Sequence, residues 1–131
     1  MERVPKKKKI LIIDEDEFLS KMYARKFIEE SFEVFLAPGG DKGIEIAKKN
    51  YPDIIILDIK LPDMDGYEVL MELKKNAVTN SIPIVILSNF FQKEDVIKFL
   101  KAGVKDYLIK SHFMPDEVVQ KVKKIFGMVS R

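Results

Sequence analysis

The sequence contains no cysteine and no tryptophan, and His112 is its single histidine. The missing cysteine excludes disulfide bonds, thiolate catalysis and cysteine-based zinc centres, and one histidine argues against a histidine-based metal site. No apolar run reaches the roughly 20 residues that a membrane-spanning helix needs. The short apolar run after the basic N-terminus is not a secretory signal either. These absences indicate a cytoplasmic protein with no membrane segment.

Composition and charge are those of one globular domain. The chain has 131 residues, of which 47% are hydrophobic and 34% charged, and its formal net charge is +2. Residues 1–8 form a basic leader that holds Arg3 and most of the run Lys6–Lys9. One short charge run at a terminus is typical of a solvated segment, so we expect no direct binding of nucleic acid.

Strands and helices alternate five times along the chain. Short apolar runs predict strands at residues 9–13, 32–36, 54–57, 82–87 and 105–109. Apolar residues at helical spacing predict helices at residues 17–30, 41–50, 66–75, 92–101 and 115–126. Continuous apolar strands that alternate with helices are typical of a parallel sheet covered on both faces. The prediction is a doubly wound α/β domain of the (βα)5 type, with right-handed crossovers.

Polar side chains follow four of the five predicted strands. Along the chain they are the acidic run Asp14–Asp16, then Asp58, Ser88 and Lys110. In open α/β sheets, ligands bind beyond the carboxyl ends of the strands. A polar residue after one strand is often only a turn former, but four such positions at one edge favour a functional site.

The residue types at this edge suit phosphoryl transfer. Asp14, Glu15 and Asp58 as close neighbours would repel one another, and a divalent cation would relieve that repulsion. Hard oxygen ligands favour Mg²⁺ or Mn²⁺. A cation, the Lys110 ammonium and the Ser88 hydroxyl are the parts that could deliver a phosphoryl group to a carboxylate. Asp58 is then the nucleophile, and an aspartyl phosphate is the product.

Four stretches resemble the motifs of response-regulator receiver domains of two-component signalling, in the family's order and spacing: ILIIDED (10–16), IILDIKLPDMDG (55–66), IVILSN (84–89) and GVKDYLIKS (103–111). The resemblance covers roughly residues 8–128. It implies a flavodoxin-like fold with strand order 2-1-3-4-5. Because the chain ends soon after the last predicted helix, we expect either a stand-alone receiver domain at residues 9–128 with a C-terminal tail at 129–131, or a piece of a longer protein.

The resemblance assigns roles to the residues of the candidate site. Asp58 matches the phospho-acceptor and Lys110 the lysine of the last motif. Asp14 and Glu15 match the acidic pair that binds Mg²⁺ together with Asp58, and the backbone carbonyl of Lys60 matches the third protein ligand. We therefore expect a protein that is not an enzyme toward other substrates but catalyses its own phosphorylation and its own slow dephosphorylation.

The resemblance assigns one pair of residues to the conformational switch, and a second pair is expected to set the lifetime of the acyl phosphate. Ser88 matches the switch hydroxyl, and Tyr107 matches the aromatic residue that turns inward on activation. Lys60 and Phe90 lie two residues after the acceptor and the switch hydroxyl, where they would tune the lifetime of the acyl phosphate. We expect the bulky Phe90 ring to shield the phosphate from water.

The expected partners are proteins. A histidine kinase or a histidine phosphotransfer protein would supply the phosphoryl group, which adds roughly two negative charges. The surface formed by helix 92–101, the fifth strand and the last helix would then change and bind an output protein. The domain would act as a monomer or as a phosphorylation-induced dimer.

Some positions depart from the family pattern. Glu15 replaces the commoner aspartate, Ser88 replaces the commoner threonine, and Asn89 stands where a small residue is usual. Ser111 stands where a proline that favours a cis peptide usually follows the lysine. A cis bond before Ser111 would cost about 2.5–4 kcal/mol, so the bond is either trans or held cis by tertiary contacts.

Two alternatives follow from these residues. Asn89 and Ser111 leave open a degenerate receiver, a protein-binding module that never carries phosphate. A flavodoxin-like enzyme is the weaker alternative, because no glycine-rich phosphate-binding loop follows the first strand. A haloacid-dehalogenase-type phosphatase would need a second aspartate at position 60, where Lys60 stands.

Overall fold

The computed structural model describes residues 6–128. It contains one sheet of five parallel strands in the order β2-β1-β3-β4-β5. The strands are β1 (Lys9–Ile13), β2 (Glu33–Ala37), β3 (Ile54–Leu57), β4 (Ile84–Ser88) and β5 (Asp106–Ile109). The predicted doubly wound, flavodoxin-like class and strand order are confirmed.

Five α-helices connect and follow the strands. They are α1 (Glu17–Glu29), α2 (Gly40–Asn50), α3 (Gly66–Lys75), α4 (Lys93–Lys101) and α5 (Pro115–Ile125), and a short 3₁₀ turn, Lys110–His112, precedes α5. The longest helix has 13 residues. Within residues 6–128, no helix is both long enough and apolar enough to cross a membrane.

The side chains of the strands alternate between two apolar clusters, one on each face of the sheet. On one face, residues such as Leu11, Ile55 and Ile86 pack against α2, α3 and α4. On the other face, residues such as Ile12 and Ile56 pack against α1 and α5. The central strands are therefore buried on both faces, which is why they read as continuous apolar runs.

Most element bounds differ from the predicted ones by a residue or two. The largest difference is at β4, which was predicted to begin at Ile82 and begins at Ile84. Pro83 has no N–H to donate to a neighbouring strand, and only its carbonyl takes part, accepting from the Ile55 amide at 3.0 Å. The Ile82 amide instead donates to the Thr79 carbonyl in the preceding turn.

The two ends of the predicted domain are only partly described. Lys6, Lys7 and Lys8 are exposed and have no secondary structure, although the Lys8 ammonium lies 5.2 Å from the centre of the Phe126 ring. The rest of the leader, residues 1–5, and the tail, residues 129–131, lie outside the described residues. The predicted domain limits therefore stay a prediction.

Candidate functional site

The carboxyl ends of β1 and β3 hold two buried aspartates at fixed positions. These neighbouring strands form the switch point of the sheet, from which the chain winds in opposite directions. The Asp58 amide donates to the Ile13 carbonyl at 2.9 Å, and the Asp14 amide donates to the Ala37 carbonyl at 3.0 Å. Asp14 and Asp58 are 4% and 8% exposed. Hydrogen bonds to neighbouring strands thus fix the backbone of each aspartate just past the end of its own strand.

Lys110 joins the two aspartates. Its Nζ lies 2.7 Å from Asp14 Oδ2 and 2.8 Å from Asp58 Oδ2, and its side chain is only 8% exposed. The lysine follows β5 and begins the 3₁₀ turn. The structure therefore brings together Asp14, Asp58 and Lys110 from three strand ends.

The second oxygen of each carboxylate accepts a backbone hydrogen bond. Asp14 Oδ1 accepts from the Asp16 amide at 2.9 Å. Asp58 Oδ1 accepts from the Lys60 amide at 3.4 Å, which is long for such a bond. Oδ1 is thus the more weakly held oxygen of Asp58.

Burial and charge act against each other in this cluster. Burial raises the pKa of Asp14 above its usual value, although hydrogen bonds from Lys110 and the Asp16 amide oppose that rise. Burial lowers the pKa of Lys110, but its bonds to Asp14 and Asp58 outweigh burial and leave the pKa raised. Lys110 therefore keeps its proton and its positive charge near neutral pH.

Of the carboxylates predicted to bind a cation, only Asp14 and Asp58 are in contact with the same group, Lys110. Glu15, by contrast, is exposed. In residues 6–128, no three acidic or histidine side chains lie close enough together to hold an ion. Two buried carboxylates are nevertheless oxygen donors of the kind that Mg²⁺ and Mn²⁺ accept. The residues fit such an ion if Glu15 turns toward it.

Ser88 is the last residue of β4 and is fully buried. Because β4 lies beside β3, the hydroxyl is on the same edge of the sheet as Asp58. Ser88 Oγ accepts a hydrogen bond from the Phe90 amide at 3.2 Å. The serine therefore holds the start of the loop that leads into α4.

Residues 10–123 match the family described as Response regulator receiver domain. The chain belongs to this family. The resemblance of its motifs to receiver domains of two-component signalling is thereby confirmed.

Individual relatives support the same assignment. The cell cycle response regulator CtrA of Brucella ovis is 37% identical over 117 residues, which are 89% of this chain and 49% of CtrA. The receiver domain of the Francisella response regulator 1452 is 30% identical with a TM-score of 0.82, over 92% of this chain and 97% of that one. The Mn²⁺-bound form of response regulator Rcp1 is 27% identical with a TM-score of 0.80, over 95% and 97%. The chain spans about half the length of CtrA.

In this receiver domain, Tyr107 connects β5 to the loop before α4. The Tyr107 hydroxyl donates to the Phe90 carbonyl. Its ring meets the Phe99 ring of α4 edge-on, with the centres 5.9 Å apart. Burial, together with the carboxylates of Asp95 and Asp58, raises the pKa of Tyr107 to about 12. The tyrosine thus couples three neighbouring parts of the receiver domain.

The two residues predicted to tune lifetime touch each other. The Lys60 ammonium lies 4.6 Å from the centre of the Phe90 ring, a cation–π contact. Lys60 belongs to the loop after Asp58, and Phe90 belongs to the loop after Ser88. Their spacing from Asp58 and Ser88 was visible in the sequence, but their mutual contact was not.

Two of the four departures from the family pattern, Asn89 and Ser111, are hydrogen-bonded to each other. The Ser111 amide donates to Asn89 Oδ1 at 3.0 Å. Within the described residues every peptide bond is trans, including the Lys110–Ser111 bond. The open question of the sequence is therefore answered in favour of trans.

Asp63 is a residue whose contribution the sequence analysis missed. Its carboxylate accepts from the Gly40 amide at 2.8 Å and from the Asp41 amide at 2.9 Å, at the start of α2. The Asp41 and Gly40 amides hold the pKa of Asp63 below its usual value. Asp63 thereby fastens the loop that follows Asp58 to a neighbouring helix. A sequence signal existed, since Gly39 and Gly40 offer no capping side chain and α2 needs one from elsewhere.

Proposed function

We propose that Asp58 accepts a phosphoryl group and that the domain is a phosphorylation-controlled switch. The observation that supports this most directly is the Lys110 ammonium within hydrogen-bond distance of two buried carboxylates. In the proposed reaction, an oxygen of Asp58 attacks the phosphorus of a phosphohistidine. A P–O bond forms, the P–N bond breaks, and the imidazole leaves with its electron pair and takes up a proton. The weakly held Oδ1 is the natural nucleophile, because Oδ2 is bound to Lys110.

The other site residues act on the charge of the transferred group. Lys110 is protonated and can shift from Asp58 Oδ2 to a phosphoryl oxygen, and the Ser88 hydroxyl can donate to a second oxygen. A Mg²⁺ or Mn²⁺ ion bound by Asp14, Glu15, Asp58 and the Lys60 carbonyl would supply further positive charge. The Mn²⁺-bound form of the related Rcp1 supports this choice of cation.

The lifetime of the phosphorylated state is set at the Lys60–Phe90 contact. A water molecule must approach the phosphorus to hydrolyse the acyl phosphate. A large ring held by a cation beside the acceptor would obstruct part of that approach. We expect slow autodephosphorylation, catalysed by the domain itself.

The response involves Ser88, Tyr107 and α4. In the structure, the Ser88 hydroxyl accepts a hydrogen bond from the Phe90 amide. That bond breaks when the hydroxyl turns toward the phosphoryl group. Tyr107, which donates to the carbonyl of the same Phe90, then changes position with the loop. The surface of α4, β5 and α5 changes with it and binds an output protein, in a monomer or in a phosphorylation-induced dimer.

The proposed donor is a histidine kinase or a histidine phosphotransfer protein. Direct contact with nucleic acid or membrane is not part of the proposal, and the cytoplasmic location stays a prediction from the sequence. A receiver that binds its partner without phosphate is the competing function.

Intact mass spectrometry after incubation with acetyl phosphate and Mg²⁺ tests the proposal. We expect wild type to gain one phosphoryl group, and we expect no gain in Asp58→Asn or in wild type with EDTA. Circular dichroism shows whether each protein is folded. A folded wild type that gains nothing would contradict the proposal and favour the phosphate-independent binding module.

A further inference from the structure

The bond between Asn89 and Ser111 lies just beyond the last paired residues of β4 and β5. In the ladder between these strands, Ser88 is the partner of Ile109. One residue past Ser88, the side chain of Asn89 accepts from the Ser111 amide at 3.0 Å. A side-chain amide thus continues the connection between the strands where their backbone pairing has ended.

The segment that Asn89 holds is the one that carries Lys110. Lys110 and Ser111 belong to the 3₁₀ turn Lys110–His112. The turn's own hydrogen bond, from the Phe113 amide to the Lys110 carbonyl, is long at 3.4 Å. The bond to Asn89 is shorter, and it ties the turn to the rest of the sheet. The backbone next to Lys110 is therefore held by two hydrogen bonds, the turn's own bond and the bond to Asn89.

We propose that Asn89 is a positioning residue, which keeps the Lys110 ammonium between Asp14 and Asp58 by holding the main chain of Ser111. The consequence for phosphoryl transfer rests on the proposed function above. Asn89 follows Ser88 directly, so the same bond links the backbone of the switch serine to the backbone of the lysine. The two groups that would bind the phosphoryl oxygens thus sit on loops that are tied to each other.

Substitutions at Asn89 and Ser111 separate the side-chain acceptor from the rest of the contact. Ser111→Ala removes the hydroxyl and keeps the N–H that donates to Asn89 Oδ1, so it is the control. Asn89→Ala removes the acceptor, and Asn89→Asp restores one. Both positions are exposed, so these variants should fold.

The first test uses the unphosphorylated protein and follows the Ser111 amide by NMR hydrogen exchange. One hydrogen bond of ordinary net strength corresponds to a roughly two- to tenfold change in exchange. We expect Asn89→Ala to speed exchange by that factor, and Asn89→Asp to restore protection. The side-chain NMR signals of Lys110 should shift or broaden in Asn89→Ala, but not in Ser111→Ala.

The second test is the phosphorylation rate with acetyl phosphate in Asn89→Ala and in Ser111→Ala. We expect Asn89→Ala to slow the reaction and Ser111→Ala, which keeps the backbone donor, to leave it unchanged. Equal rates in the two variants would overturn the proposal. So would unchanged Lys110 signals in Asn89→Ala, even if the Ser111 amide exchanged faster. If wild type takes up no phosphate, the proposed function fails, and the Lys110 signals alone decide the role of Asn89.

Discussion

Helices α3 and α4 follow neighbouring strands and cover the same face of the sheet, yet they are held very differently. Helix α3 buries Val69, Leu70 and Leu73 and begins with a capping box formed by Asp65 and Glu68. Of the nine residues of α4, all within the described range, only Phe99 is buried. The side chain of Gln92, at the start of α4, makes no capping hydrogen bond.

The difference fits the two tasks of the proposed switch. The loop between β3 and α3 carries the proposed acceptor, and Asp63 fastens that loop to α2. The loop between β4 and α4 carries exposed Phe90 and leads to a helix with little buried surface. Segments with few buried apolar contacts open and move most easily. The contacts therefore hold the loop after Asp58 in place and leave α4 freer to move, as the proposed switch requires.

The largest expected effect comes from matched leucine truncations in the two helices. Leu73 of α3 is 0% exposed and Leu100 of α4 is 48% exposed. We expect Leu73→Ala to lower the free energy of unfolding by about 2–5 kcal/mol, because it leaves a cavity. Leu100→Ala should change it by less than about 0.5 kcal/mol. Urea unfolding followed by circular dichroism measures both, and equal losses would refute the difference between the helices.

The helix starts offer a smaller, second comparison. Asp65 accepts from the Glu68 amide at 2.9 Å, and Glu68 accepts in turn from the Asp65 amide at 3.2 Å. We expect Asp65→Ala to cost about 1 kcal/mol of stability through the lost cap. Gln92→Ala, which removes no cap bond, should cost a few tenths at most. Similar losses in the two variants would mean that capping does not distinguish α3 from α4.

The loop before α4 can be probed through the lifetime of the phosphate. A cation–π contact at an exposed site is worth about 0.5–1 kcal/mol, which corresponds to roughly a two- to fivefold change in a rate or equilibrium constant. We expect Phe90→Ala to shorten the half-life of phosphorylated protein by that factor. Phe91→Ala is the control, because the cation–π contact is made by the neighbouring ring. A half-life that Phe90→Ala leaves unchanged would rule out a shielding role for this ring.

The smallest effect concerns the pH dependence of the α4 side. The pKa of Tyr107 is raised from 10.0 to about 12 by burial and by the Asp95 and Asp58 carboxylates. A raised pKa in the folded state contributes stability below pH 10, and that contribution is lost as the pH rises toward 12. Between these values, wild type should lose more stability than Tyr107→Phe, measured by urea unfolding. Tyr51→Phe, at an exposed tyrosine, should follow wild type; a Tyr107→Phe profile parallel to wild type would contradict the assignment.

The sequence was sufficient for the order of elements along the chain, because the helices carry a periodic apolar pattern and the strands are short apolar runs. The sequence was less reliable at the ends of strands and helices, because hydrogen bonding decides where an element begins and ends. Ile82 looks like part of a strand, but Pro83 cannot donate, and the strand begins at Ile84. The meeting of Asp14, Asp58 and Lys110 could be anticipated, because parallel strands bring their carboxyl ends to one edge.

Contacts between loops could not be anticipated in the same way. The Asn89–Ser111 bond, the Lys60–Phe90 contact and the Asp63 cap each join residues that are distant in sequence. They depend on loop conformation and side-chain rotamers, for which the sequence carries no periodic signal. The role of Glu15 stays a prediction: its place in the acidic motif makes it a ligand beside Asp14, and its side chain is exposed.

Hydrogen exchange with mass spectrometry, on protein with and without phosphate on Asp58, tests the central claim most directly. Asp58→Asn treated with the same donor and Mg²⁺ is the control. We expect phosphorylation to change exchange in the loop before α4, in α4 and in β5, and to leave α3 as it was. No change in either helix, or a change greater in α3 than in α4, would contradict the division into a fixed acceptor side and a responsive α4 side.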